Sequence, residues 1–95
     1  MIFIWDENKN RTNRRKHGLS FETAALAFED PLMASYVERV IDGEERWHMI
    51  GYLQGVGLVL VAHAVEDENG SQETIRITSA RKAGPGERTV YNAAH

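Results

Sequence analysis

The stretch LVLVAHAV, Leu58 to Val65, is the longest apolar run of the chain and the part that decides the fold. Apart from His63, its residues are apolar at both odd and even positions. Both faces of an extended segment would therefore be buried, which is typical of a strand in the middle of a sheet. The run is far too short to cross a bilayer, and we expect no membrane association.

Strand-like segments lie on both sides of this run. Ala34–Ile41 and Arg46–Leu53 precede it, and Asp42-Gly43 between them is a hairpin signal. Glu73–Ser79 follows it and alternates between apolar and polar residues. Together these segments predict an antiparallel meander with Leu58–Val65 inside it.

Helical signals occupy the two ends of the chain. After a short apolar run at Ile2–Trp5, Asp6 can cap a polar surface helix that ends at Gly18. Phe21–Glu29 has apolar residues at helical spacing, and Pro85 suits the first turn of a last helix. We predict one α+β domain, residues 1–95, with the order β-α-α-β-β-β-β-α.

Charge is distributed unevenly along this acidic chain, whose formal net charge is -3. Met1 to Gly18 carries +3, Leu19 to Thr74 carries -9, and Ile75 to His95 carries +3. If the ends meet in space, they form a basic surface that attracts phosphates. The alternative is that short helices carry solvated charge. The candidates for RNA binding in the first helix are Arg14, Arg15, Lys16 and His17.

Metal and thiol chemistry are not indicated. The chain has no cysteine, and its four histidines lack the spacing of metal ligands, so we expect neither a metal site nor a cofactor. RNA cleavage without a metal needs a base for the 2′-hydroxyl, an acid for the leaving oxygen and a cation that stabilises the phosphorane. The residues that could supply these groups are Arg76, Arg81, Lys82, His48, Glu73, Arg88 and Tyr91.

Several of these residues also have a structural alternative. Arg76 could pair with acids on a neighbouring strand, and Tyr91 could pack its ring on the sheet. His48 and His63 could be hydrogen-bonded structural histidines. Arg81 and Lys82 are expected to follow the end of the last strand, where functional residues concentrate.

Three blocks carry a family resemblance over nearly the whole chain. They are FIWDENKNRTNRRKHGLSFETAALAFEDP (Phe3 to Pro31), GEERWHMIG (Gly43 to Gly51) and IRITSARKAGPGERTVY (Ile75 to Tyr91). In order and spacing they resemble the BrnT toxins of type II toxin–antitoxin pairs. The resemblance implies a RelE-like fold and ribonuclease activity that stops translation. It also implies a BrnA-like antitoxin, which binds the toxin and connects it to operator DNA. Residues 1–10 lack the basic start of a signal peptide, so we expect a cytoplasmic location.

Carried over by motif, the matching positions are Lys16, His17, Arg81, Lys82, Glu87, Arg88 and Tyr91. We expect Arg76, Arg81 and Lys82 to bind the scissile phosphate, His48 or Glu73 to act as base, and Tyr91 or Arg88 to support the transition state. The chain departs from the family pattern at Gly84-Pro85-Gly86. That departure favours an alternative, a catalytically silent module that only binds the antitoxin and takes part in operon regulation.

Overall fold

The computed structural model describes residues 1–68 and 72–94. Along the chain the elements are β1 (Ile2–Ile4), α1 (Glu7–His17), α2 (Phe21–Ala25), a 3-10 helix (Leu26–Glu29), β2 (Ala34–Ile41), β3 (Glu44–Leu53), β4 (Gly57–Glu68), β5 (Gln72–Lys82) and α3 (Pro85–Ala93). The predicted α+β class and element order are confirmed. The single helix predicted over Phe21–Glu29 is divided into α2 and the 3-10 helix.

The five strands form one sheet in the order β1-β5-β4-β3-β2. Strands β2 to β5 are the predicted antiparallel meander, and β4 is the central strand. Strand β1 lies outside this meander and pairs with β5 in parallel, so the sheet as a whole is mixed. This pairing brings the two ends of the chain together, because β5 belongs to the last third of the sequence.

Local capping explains where the elements begin and end. The Asp6 carboxylate accepts the Lys9 N–H at 3.1 Å, and Gly18 ends α1 in the left-handed region at φ 71°. Asp42 and Gly43, at φ 50° and 78°, form the two-residue turn between β2 and β3. These predicted signals are confirmed.

The main core lies between the sheet and the layer formed by α2 and the 3-10 helix that follows it. Gly51 permits a close approach there, because a Cβ at this position would lie 2.7 Å from the Ala27 carbonyl oxygen. We call this side of the sheet the helix-bearing face and the opposite side the open face. The largest fully buried side chains are Phe21, Met49, Ile50, Ile77, Val59 and Val61.

No helix in the described part of the chain is long and apolar enough to span a membrane.

Candidate active site

The open face carries a second, smaller apolar cluster next to α3. Ile50 of β3, Leu60 of β4 and Ala83 are buried there, and the rings of Tyr36 and Tyr91 pack against them. Because side chains alternate along a strand, polar residues two or four positions from Ile50 and Leu60 on the same strands also project from the open face. Polar and charged side chains therefore surround a small apolar floor.

A tyrosine–histidine pair joins β2 and β3 on this face. Tyr36 lies directly opposite His48, and its hydroxyl is 3.2 Å from His48 Nδ1. The two rings meet edge to face with centroids 5.5 Å apart. Burial raises the pKa of Tyr36, and the carboxylates of Glu87 and Glu38 raise it further. The hydroxyl therefore stays protonated and holds the imidazole in one orientation.

An arginine–glutamate pair connects β5 to α3 on the same face. Arg81 lies opposite Leu60 of β4, and its guanidinium donates to Glu87 Oε1 at 2.8 Å. The same oxygen accepts the Gly84 N–H at 2.7 Å at the start of α3. The hydrogen bond from Arg81 lowers the pKa of Glu87, and the Gly84 N–H and His48 act in the same direction. The charges of Arg81, Glu87 and His48 and the Tyr36 hydroxyl thus lie close enough to influence one another.

A shallow groove of about 190 Å³ lies beside His48, at the side of the open face nearer the β2–β3 turn. It is lined by His48, Thr78 and Glu38 together with two arginines, Arg39 and Arg46. These arginines lie directly opposite each other on β2 and β3. Like charges in such a pair repel, so an anion between them would be stabilising.

Carboxylates neutralise each of the arginines on the open face. Arg39 pairs with Glu38, and Arg46 with Glu44 at 3.0 Å. Arg76 donates to Glu44 at 2.7 Å and to Glu66 at 3.0 Å. The alternative stated for Arg76, pairing with acids on a neighbouring strand, is what the structure shows for Glu66 of β4, and Glu44 lies one strand further away on β3. Its predicted role in phosphate binding stays a prediction.

Arg81 and Lys82 do not form one group. Strand β5 extends through both residues, so the expectation that they follow the strand end is wrong. Lys82 lies opposite Val59, whose side chain belongs to the main core, whereas Arg81 lies opposite Leu60 on the open face. Because neighbouring residues in a strand alternate, Lys82 projects from the helix-bearing side.

The remaining predicted residues are dispersed. Tyr91 packs on the open-face cluster, and its hydroxyl donates to Asp30 at 2.7 Å, which raises the pKa of Tyr91. Arg88 is exposed on α3. Glu73 lies in a groove with Trp47 on the helix-bearing side, so the structure does not bring it to His48.

The cations of α1 lie at the edge of the sheet. The four predicted RNA-binding residues, Arg14, Arg15, Lys16 and His17, are in the last turn of the helix and exposed. Lys16 and His17 line a shallow groove with Thr78 and Ser79 of β5. Within residues 1–68 and 72–94, no cluster of three His, Asp or Glu side chains is arranged as metal ligands.

Sequence reasoning missed Tyr36, Glu38, Arg39 and Arg46. The Asp42-Gly43 turn could have indicated them, because a two-residue turn places the residues of β2 opposite those of β3. The exact partner of His48 could not be obtained in this way, because the register changes between Val37 and Arg39.

The comparison with protein families defines the class. A family model for a ribonuclease toxin of a type II toxin–antitoxin system matches residues 5–87. The chain belongs to this family, BrnT. No curated protein matches the chain. A toxin of this class has an RNA substrate and an antitoxin protein as its partner. The match includes His48, Arg81 and Glu87 and ends before Arg88 and Tyr91.

Proposed function

We propose that the chain cleaves RNA on its open face, without a metal, and thereby inhibits translation and growth until a BrnA-like antitoxin binds it. It acts in the cytoplasm, and it reaches operator DNA only through the antitoxin. The fold relationship to RelE-type ribonucleases stays a prediction. The observation that carries the proposal is the convergence of the Tyr36–His48 and Arg81–Glu87 pairs on one face.

His48 serves as the general base in this proposal. When Nδ1 carries the proton and donates it to the Tyr36 oxygen, the lone pair of Nε2 is free to accept the proton of a 2′-hydroxyl. Tyr36 is then a positioning residue, since this contact holds the ring orientation of His48. The apolar floor beside the pair excludes water and strengthens these interactions.

Arg81 stabilises the phosphorane that forms when the 2′ oxygen attacks phosphorus, after which the P–O5′ bond breaks and the 5′ oxygen takes a proton from water. Its guanidinium is held by Glu87 at the start of α3, and side-chain exposure of 37% leaves it accessible to a phosphate. Arg39 and Arg46 in the adjacent groove bind a flanking phosphate by exchanging a carboxylate partner for it. Arg76, Arg88 and Tyr91 support RNA binding or the transition state less directly, whereas Lys82 projects from the helix-bearing side and contributes little.

Cleavage of end-labelled RNA by the purified chain in EDTA tests the proposal, and the structure separates two variants. Arg81→Ala should reduce the rate about 100-fold, the usual loss when a transition-state donor is removed. Lys82→Ala is the matched control, because this cation projects from the other face, and it should retain most of the activity. Equal losses in both variants, with circular dichroism showing both folded, would refute the assignment of the open face.

A silent interaction module is the second candidate function. The observation that favours it is that Arg39, Arg46, Arg76 and Arg81 are each paired with a carboxylate. Expression without the antitoxin distinguishes the two functions, since an active ribonuclease arrests growth and a silent module does not. Absence of growth arrest together with absence of cleavage would favour the silent module.

A further inference from the structure

The helices cover only part of the helix-bearing face. Toward the Asp42-Gly43 turn, the uncovered part of the sheet forms a groove of about 950 Å³. Trp47 of β3, Val65 of β4 and His63 line it. The His63 side chain is only 3% exposed and lies edge to face against Phe28, with ring centroids 5.2 Å apart. We call this site the acidic groove.

Large apolar side chains are left exposed around the acidic groove. Val40 on β2 is 60% exposed, and Met1 is 51% exposed. Val65 and the half-buried ring of Trp47 extend this apolar surface across three strands and the N-terminus. A contiguous apolar patch of this kind marks an interaction site rather than an ordinary solvated surface.

The charge of the acidic groove decides what can occupy it. Glu44, Glu45 and Glu73 line it, and the lining residues that the structure describes include no Lys or Arg. Glu44 is committed to Arg76 and Arg46, whereas Glu45 and Glu73 have no ion pair within the described residues. RNA is a polyanion and would be repelled here, so this site differs in ligand chemistry from the open face.

We propose that the acidic groove binds a segment of the antitoxin in which apolar side chains are flanked by Lys or Arg. The apolar residues fill the space over Trp47, Val65 and Val40, and the cations pair with Glu45 and Glu73. The inference rests on the antitoxin partner of the proposed function and not on RNA cleavage. The occupant is a protein segment because a toxin of this class has a protein partner and the negative charge of the groove repels RNA.

Titration calorimetry of the toxin with the antitoxin encoded beside it tests this assignment. Glu45→Lys and Glu73→Lys, both at exposed positions, should each weaken binding about tenfold and reduce its salt dependence. Glu29→Lys is the matched control, because this substitution changes the charge by the same amount at an exposed residue of a different groove. It should stay within about twofold of the wild type.

The apolar contribution is tested separately. Val40→Ser should weaken antitoxin binding, and Val90→Ser, at an exposed position on α3, should not. Binding within about twofold of the wild type in all three groove variants would overturn the assignment. A dimer of the toxin alone that Val40→Ser dissociates would replace the antitoxin segment by a second copy.

Failure of this inference can be distinguished from failure of the proposed function. Glu45→Lys and Val40→Ser should cleave RNA at the wild-type rate when no antitoxin is present, because the acidic groove and His48 lie on opposite faces of the sheet. A wild-type chain that cleaves RNA but shows no effect of the groove variants on antitoxin binding overturns only the inference. A chain that binds the antitoxin through the groove but never cleaves RNA overturns only the ribonuclease function.

Discussion

At the scale of single residues, two buried asparagines attach α1 to the rest of the chain. The Asn13 side-chain amide donates to the carbonyls of Leu19 and Ala80 at 2.9 and 2.8 Å and accepts the Ala80 N–H at 3.1 Å. It thus takes the place of a neighbouring strand along the part of β5 that β1 does not reach. Asn10 accepts the Phe21 N–H at 2.9 Å. A helix without an apolar face is therefore held by amide hydrogen bonds.

Removal of the Asn13 amide should be strongly destabilising. Asn13→Ala leaves the N–H and C=O of Ala80 and the carbonyl of Leu19 without this partner, and we expect the free energy of unfolding to fall by about 3 kcal/mol. Chemical denaturation measures the loss. Asn8→Ala, an exposed change in the same helix, is the control and should have an effect within about 0.5 kcal/mol. A loss below about 1 kcal/mol in Asn13→Ala would contradict this role.

His63 should make stability depend on pH. Burial lowers its pKa in the folded chain, so the unfolded chain binds a proton at higher pH than the folded one does. The stabilisation is complete above the unfolded pKa, about 6.5, and is lost as the pH falls through the lowered folded pKa. Denaturation of the wild type and of His63→Gln between pH 7 and pH 5 measures this contribution. Parallel pH profiles of the two proteins would refute it.

At the scale of elements, two irregularities of strand register decide which side chains meet. In β2, residues 39–41 follow the register of the Asp42-Gly43 turn, but a shift after Val37 brings Tyr36 opposite His48. In β5, the register shifts between Ser79 and Ile77. Arg76 and Arg81 are five residues apart, so strict alternation would place them on opposite faces, and the second shift places both on the open face.

The first of these shifts gives Tyr36 its contact with His48, and Tyr36→Phe tests the consequence. Loss of the hydroxyl releases the His48 ring, so we expect the RNA cleavage rate to fall about tenfold and its pH profile to move. Tyr52→Phe is the control, because Tyr52 lies on the same strand face and is 54% exposed. A reduced rate with an unchanged pH profile would indicate a structural role alone.

At the scale of the whole molecule, the sheet separates two surfaces of different chemistry. The open face carries paired arginines around His48, and the opposite side carries the acidic groove. The cations of α1 lie at the edge between them, beside Thr78 and Ser79 of β5. RNA bound across the open face would reach this edge, and a protein segment could occupy the acidic groove at the same time.

The α1 cations should contribute RNA affinity without contributing to chemistry. Arg14→Ala with Arg15→Ala should weaken RNA binding and reduce the salt slope by about 0.7 for each phosphate that the variant no longer neutralises. Single-turnover cleavage at saturating RNA should be unchanged. The control is Arg14→Lys with Arg15→Lys, which keeps both charges. An unchanged salt slope in the alanine variant would show that these residues carry only solvated charge.

The sequence by itself determined the α+β class, the order of elements and the central position of Leu58–Val65. These features depend on signals between near neighbours: apolar periodicity, the Asp6 cap, Gly18 and the Asp42-Gly43 turn. It also indicated His63 as a hydrogen-bonded structural histidine, and His63 is buried with Nδ1 3.1 Å from the Val61 carbonyl.

Only the tertiary structure decided how the site is composed. It separated Lys82 from Arg81, paired Arg76 with Glu44 and Glu66, and brought Tyr36 to His48. One physical reason is that β5 extends through Arg81 and Lys82, so these neighbours project from opposite faces. The other is that a shift of one residue in strand register moves side chains to the other face. Such shifts depend on packing between distant segments and leave no periodic signal in the sequence.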